Sequence, residues 1–330
     1  MSKENTKKIT SIGGSALIEG IMMRGPKKTV VAVRTAPDKI ETEELEVKTL
    51  SSKSKLFRIP FIRGIAGMID SLKLSYKSLM LSANKAIDSI EVEEEKMSKF
   101  EKWLNDKLGE KLMNVIMTLA SVLGVALAVV LFIWVPSLLY GLLQPLHPVF
   151  DNQLLRSTFE GVLRIALFLG YIIIVSQMED MKRVFMYHGA EHKTIFCYEA
   201  DEELTVENVR KHKRFHPRCG TSFMIIMLLL GIVIGLFVPS FAYLGLWGTL
   251  LRAAIKILLL PLSVGIGYEL IKLCGKYDNW FTRIIAAPGM WAQRITTREP
   301  DDSMIEIAIA AITPVIPDDG SDIINKGCCK

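Results

Sequence analysis

The chain is poor in cysteine. It has five in 330 residues (Cys197, Cys219, Cys274, Cys328, Cys329), at spacings that suggest no paired framework. A disulfide-stapled secreted scaffold is thereby excluded, and a reducing compartment fits. No signal peptide is expected, because the first hundred residues are polar and open Met-Ser-Lys-Glu. A large excess of one sign of charge is absent, since 40 Lys+Arg against 35 Asp+Glu leave a formal +5. The placement of the charges therefore carries more than their sum. There is no internal repeat and no low-complexity segment. The Gly-punctuated stretch Ile12–Pro26 could add a strand or a tight loop, but it lacks the strand–G-x-G-x-x-G–helix context of a nucleotide site.

What the chain has in excess is apolar sequence. The set AVILMFWYC makes up 50%, with 23 glycines besides, above the usual ~45–50% for such a set. The excess is concentrated. From Met113 to Phe150 there are 38 residues without Lys, Arg, Asp or Glu, and from Thr221 to Leu251 another 31. About 20 apolar residues span a bilayer as a helix, so each run is a span with residues to spare. A disordered tail protein and a soluble dehydrogenase-type domain are excluded.

Two more segments are shorter: Ile165–Met178, 14 uncharged residues, and Ile257–Tyr268, 12. With only the long runs crossing, ten Lys and Arg of Gln144–Gly220 would lie outside, against the positive-inside rule. With four spans, the outer loops 144–157 and about 239–248 carry one Arg between them. The inside then holds 21 Lys+Arg in 1–111, eight in 179–220 and seven in 272–330. Four spans with both termini cytoplasmic are expected. Arg164, Arg252 and Lys256 fall within or beside the weaker spans, where they could snorkel, pair within the bundle or serve a function.

Outside the spans, Thr29–Leu50 alternates around Pro37-Asp38 and predicts a β-hairpin with one polar face. Over Leu56–Asn84, Ile62, Ile65, Ile69, Leu72, Tyr76 and Leu79 recur at helical spacing among Arg58, Arg63, Lys73 and Lys77. This basic amphipathic helix lies either on an anionic membrane face or on the protein's own surface. Residues 88–111 read as a charged linker or a helix into span one. Phe281–Arg294, with Trp280 and Trp291, has an aromatic interface pattern, and Met304–Ile312 is an apolar helix that needs a partner surface. The terminal Cys328-Cys329 fits no prenylation pattern, so an unmodified tail is expected.

Four of the five histidines fall between 188 and 216. His188-Gly-Ala-Glu-His192, on a helix continuing from span two, places both imidazoles on one face with Glu191 beside them. Two such rings can share a metal while the carboxylate takes a proton from water, the H-x-x-E-H arrangement. His216-Pro-Arg-Cys219 offers a second pair in a turn. His188, His192, His216 and Cys219 would complete a tetrahedral, structural zinc set. Three of them, or Glu269 replacing one, would leave a catalytic position open. The plain alternative has the histidines bonded to lipid phosphates or to carboxylates such as Glu179 and Asp180. The run Arg210–Arg214 with Arg218 could meet anionic headgroups or RNA phosphates, or simply supply the inward charge bias.

At these motifs the sequence resembles the YqhQ-like family of bacterial multi-pass membrane proteins, a domain of unknown function described as predicted metal-dependent enzymes. The matching stretches are Gly13–Gly25, Arg63–Leu72, Tyr187–Lys193, Leu204–Val209, His216–Ser222 and Thr297–Pro300. They cover essentially the whole chain. The resemblance implies where a site lies more than what it does.

The expected fold is an α-helical membrane protein with four transmembrane helices and a small cytoplasmic α+β part. Residues 1–111 form a cytoplasmic region with the hairpin and an amphipathic helix. Residues 112–271 form the membrane domain with the motif loop 179–220, and 272–330 a cytoplasmic tail. The leading expectation is an inner-membrane, metal-dependent hydrolase of a membrane-associated peptide or lipid-linked substrate. Zinc or another divalent transition metal would sit on His188, His192, His216, Cys219 or Glu269, with Glu191 as general base. The competing expectation is a non-enzymatic scaffold or biogenesis factor stapled by structural zinc. Its partners would be membrane lipids, RNA, a membrane-protein or ribosome/translocation partner, or a second copy in a homo-oligomer, and no DNA. Transport ranks below both, because spans one and three offer little polar beyond Asn114, Thr118 and Ser121.

Overall fold

The computed structural model describes residues 8–36, 38–46, 49–50, 54, 57, 59–89, 115, 118–239, 241–277 and 279–326. Asn114, most of the charged segment 88–111 and Cys328-Cys329 lie outside the described residues. The chain divides into two compact units, one of residues 1–89, 172–227 and 264–330, the other of 90–171 and 228–263.

The first unit is built on a four-stranded antiparallel sheet in the order β2-β3-β4-β5. Its strands are β2 (Gly13–Leu17), β3 (Gly20–Arg24), β4 (Thr29–Ala36) and β5 (Lys39–Glu44). The hairpin expected from residue 29 is therefore present, and Ile12–Pro26 contributes a second one in front of it. Side chains alternate across a strand. Ile21, Met23, Val30 and Ala32 enter one core, and Met22, Val31 and Val33 enter the other. Because both faces are covered, Val30–Val33 reads as an unbroken apolar run. The single polar face expected of the hairpin is confined to β5, most of whose side chains are exposed.

On one face of the sheet lies α1 (Ile62–Ser89), inserting Leu74 beside Leu17, Met22 and Val33. Its buried stripe is Ala66, Asp70, Leu74, Ser78 and Ser82, mostly small or polar. The apolar stripe legible in the sequence points the other way: Ile69, Leu72, Tyr76 and Leu79 are exposed. The helix thus packs on the protein and still presents an apolar face outward.

The other face is covered by α4 (Glu179–Glu199) and α10 (Asp302–Ile312), whose Tyr187, Ala190, Met304, Ile305 and Ile312 are buried against the sheet. The apolar helix that needed a partner has one. Between them in sequence come α5 (Val206–Lys211), α8 (Leu260–Lys276) and α9 (Trp280–Thr296). Trp280 and Trp291 of α9 are exposed. A separate two-stranded ladder pairs β1 (Lys8–Thr10) with β6 (Ile323–Lys326).

Among the described residues, three helices are long and apolar enough to cross a membrane: α2 (Thr118–Leu146), α3 (Gln153–Val175) and α6 (Gly220–Phe237). A fourth crossing follows if α7 (Leu246–Leu258) and α8 form one span, bent by 44° at their junction. Pro261, which cannot donate a backbone hydrogen bond, lies in the first turn of α8. The 12-residue run of the sequence is thus part of a longer, broken helix.

Candidate metal centre

Helix α4 is not a continuation of α3. Residues 176–178 turn the chain, and a new helix begins at Glu179 with Glu179 and Asp180 in its first turn, where acidic groups suit the helix dipole. One turn of this helix separates His188 from His192, and their ring centroids are 4.4 Å apart.

Each ring is fixed from behind. His188 donates Nδ1–H to the Thr296 carbonyl at 2.8 Å, and His192 donates Nδ1–H to the Arg214 carbonyl at 2.5 Å. A carbonyl only accepts, so both rings carry a proton on Nδ1, and Nε2 is the ring nitrogen left to face other groups. The Nε2 of His188 faces Cys219 Sγ at 3.1 Å. Ligand atoms of His188, His192 and Cys219 lie within 4.8 Å of one another, the spacing of donors around one ion. Orientation of ligand imidazoles by backbone carbonyls is the usual outer shell of a metal site.

Close approach makes this geometry possible. A Cβ on Gly189 would lie 2.0 Å from the Arg298 carbonyl oxygen, so any larger residue would lift α4 off the strand-like segment 297–300. Arg298 N–H donates to the Phe185 carbonyl at 2.8 Å on the same side, and Lys193 forms an ion pair with Glu299.

Glu191 is buried among these groups. The Gly14 backbone N–H of β2 bonds to its carboxyl, while Oε2 has no hydrogen-bond partner. Burial pushes its pKa up to about 7 against the pull of His188 and the Gly14 N–H. An unpartnered buried carboxylate oxygen beside three convergent donors is an unmet polar requirement.

His216 and Glu269 stand outside the donor set. The His216 ring lies 5.4 Å from that of His192 but its Nε2 meets the Arg218 guanidinium at 3.2 Å. Buried Gln293 of α9 clamps its backbone, accepting from His216 N–H and donating to its carbonyl, both at 2.7 Å. Glu269 accepts a two-pronged bond from Arg63 at 2.7 and 2.5 Å.

The three donors and Glu191 line a cavity of about 640 Å³ whose wall includes β1, β2 and Tyr268. Because β2 is an edge strand, one row of its backbone groups lacks a ladder partner. The basic run is largely paired with the protein's own carboxylates: Arg210 with Asp302, Lys211 with Glu207, His212 with Glu202, Arg214 with Glu299 and Arg218 with Glu199. A second donor group joins Cys197, Glu202 and His212. There the thiol donates to the Glu203 carbonyl, and burial raises its pKa to about 11, so it is a protonated structural cysteine.

The residues that sequence reasoning missed are supports: Gly14, Gly189, Gln293, and the carbonyls of Arg214 and Thr296. The signal for several was present, because Gly13–Gly25, Tyr187–Lys193, His216–Ser222 and Thr297–Pro300 all converge here.

Residues 59–318 match the family described as a protein of unknown function, DUF1385. The chain is 32% identical over 311 residues to the uncharacterized protein YqhQ of Bacillus subtilis (strain 168), covering 92% of each. No solved structure matches.

Proposed function

The chain belongs to the DUF1385 family of unknown function, and from the geometry of its cavity we propose that it is a metal-dependent hydrolase acting on a membrane-associated peptide. The observation that carries this reading is the convergence of His188 Nε2, His192 Nε2 and Cys219 Sγ beside the unpartnered carboxylate of Glu191. Two imidazoles and a thiolate suit zinc, and three protein ligands leave a position open.

A divalent metal, held by His188, His192 and Cys219, would supply Lewis-acid polarisation of a carbonyl and of a water. Glu191 would serve as the general base that accepts a proton from the attacking water and as the acid that returns it to the leaving amine. The carbonyls of Thr296 and Arg214 hold the two ligand rings in register throughout. The β2 edge, lining the same cavity, offers an extended peptide a backbone to pair with. The outward apolar stripe of α1 and the exposed tryptophans of α9 support a site held against a bilayer face, and the Lys and Arg bias of the segments outside the spans supports both termini being cytoplasmic.

The test is metal content by mass spectrometry on the full chain purified without chelators, beside a screen of extended peptides. The wild type should carry about one equivalent of transition metal. His188→Ala/His192→Ala should lose it. Glu191→Gln should keep the metal and lose turnover. Wild-type protein without metal, or a Glu191→Gln variant that still cleaves, would overturn the reading. The scaffold alternative rests on His216, whose ring beside His192 would complete a four-ligand staple. Absorption spectroscopy of a cobalt-loaded sample decides, since four protein ligands without water favour the staple.

A further inference from the structure

Two cavities of the first unit meet at Arg294 of α9. One, of about 670 Å³, is polar: Ser176, Gln177, Arg214, Arg298 and Glu299 line it together with Arg294. The other, of about 650 Å³, is largely apolar, with Phe196, Phe215, Ala287, Met290 and Trp291 in its wall beside Arg294. His188, His192 and Cys219 line neither.

The sequence of α9 explains the junction. Ala287, Met290, Trp291 and Arg294 recur at i, i+3, i+4 and i+7 and so share one face, while Ala286, Gly289 and Gln293 are buried on another. The small side chain of Ala287 leaves the apolar groove open. The polar cavity sits at a membrane boundary, because Ile173, Ser176 and Gln177 in its wall are the last turn of α3 and the residues just beyond it. Trp280 and Trp291 of α9 are exposed, as tryptophans at a bilayer interface are.

The guanidiniums of the polar cavity are unequally occupied. Arg298 gives Nη2–H to the Ser176 carbonyl at 2.9 Å. Arg214 bonds to Glu299 at 3.3 Å, and its guanidinium carbon lies 5.1 Å from the centroid of the Phe215 ring. Glu299 is shared further with Lys193, and Glu179, the other carboxylate acting on Arg298, is held by Lys182. In the apolar groove, Glu199 is taken by Arg218 and the Thr10 N–H. Arg294, where the two cavities join, is exposed and has no ion pair or hydrogen bond among the described residues.

Both basic segments are fixed from within. The Arg214 carbonyl takes the His192 Nδ1–H at 2.5 Å, and the carbonyl of Thr296, between Arg294 and Arg298, takes that of His188 at 2.8 Å. The arginines therefore stand on backbone already in place, which lowers the ordering cost of binding.

We propose that the two cavities together hold one acidic phospholipid, its phosphate among Arg294, Arg298 and Arg214 and one acyl chain in the groove of Phe215, Ala287 and Met290. Guanidinium edges give phosphate oxygens paired bonds, and basic residues beside a span draw anionic lipid. A free anion has no use for the apolar half of the site. The chain groove is thus what selects a phosphate tethered to a lipid. This site is independent of the metal centre.

The experiment uses the full chain in maltoside micelles, which contain no phosphate, and follows thermal unfolding at constant ionic strength. Short-chain phosphatidylglycerol is titrated in one arm, phosphatidylcholine of the same chain length in a second and inorganic phosphate in a third. Phosphatidylglycerol alone should raise the unfolding temperature to a plateau. Arg294→Gln should weaken half-saturation about fivefold, the scale of one basic contact with an anionic headgroup. Ala287→Trp keeps every charge and fills the groove, so it should weaken binding as well, and it carries the test should Arg294→Gln not fold. Lys213→Gln removes an exposed cation that lines neither cavity and should titrate as the wild type does. An equal rise with phosphatidylcholine or with inorganic phosphate would overturn the assignment to an acidic lipid, as would no rise at all. So would Arg294→Gln or Ala287→Trp titrating like the wild type, or Lys213→Gln losing as much as Arg294→Gln.

Discussion

His188 and His192 turn the same ring nitrogen inward because each gives Nδ1–H to a main-chain carbonyl, that of Thr296 and that of Arg214. Those carbonyls belong to segments 82 positions apart in sequence, both downstream of α4. The donor set is therefore held by the packing of three segments and not by α4 alone.

Gly189→Ala should improve local helix propensity and still damage the centre. The added methyl meets the Arg298 carbonyl and lifts α4 away from Thr296. Loss of such an outer-shell bond lowers metal affinity about 10–100-fold. Competition with a chromogenic chelator measures it, and affinity equal to the wild type's would disprove the role given to the Thr296 carbonyl.

His216→Ala should leave metal stoichiometry unchanged, since its ring nitrogen bonds to Arg218. Gln293→Leu should be the more harmful change. It strands the buried N–H and C=O of His216, at about 1–3 kcal/mol for each unsatisfied group. Thermal unfolding of the two variants side by side gives the order, and a loss of metal in His216→Ala would return that residue to the ligand set.

Glu269→Ala should likewise keep its metal. Its loss is the ion pair with Arg63, half-shielded from solvent, so about 1 kcal/mol or less is expected. A double-mutant cycle with Arg63→Ala should show coupling of that size, whereas additive effects would mean that the contact contributes nothing.

Glu19 provides a pH dependence. The Arg183 guanidinium bonds to it at 2.5 and 2.6 Å, the Tyr187 hydroxyl at 3.1 Å, and its pKa lies below the ordinary carboxylate value. A depressed carboxylate stabilises fully above its unfolded pKa and loses that contribution as pH falls through the folded one. The stability gap between wild type and Glu19→Gln should thus be open at neutral pH and close below about pH 4. A gap that widens in acid would contradict the assigned direction.

Much of this was legible because period and charge report locally. Strands β4 and β5, the apolar spans and the His188–His192 face each follow from neighbours in sequence. The α1 stripe left the packed face open for a physical reason. Apolar periodicity identifies a face that avoids water, and here that is the outward one, while Ala66, Ser78 and Ser82 give the close approach to the sheet. The exclusion of Glu269 was hidden because spacing cannot show that Arg63, 206 positions away, reaches it first. The support of His188 by Thr296, 108 positions downstream, was hidden likewise.

The pairing of β1 with β6 has a consequence for biogenesis. Thr10 bonds to Asp322 across 312 positions, Asp322 also takes the Tyr198 hydroxyl, and Arg218 bonds to the Thr10 carbonyl. The wall beside the histidines is closed by strands from the two extremes of the described chain. Local helices can form during synthesis, but contacts of this span cannot. A nascent chain still holding Asp322 inside the ribosome carries every donor of the centre yet lacks its finished chamber. Closure of this wall thus waits on the synthesis of Asp322, after the apolar helices have emerged.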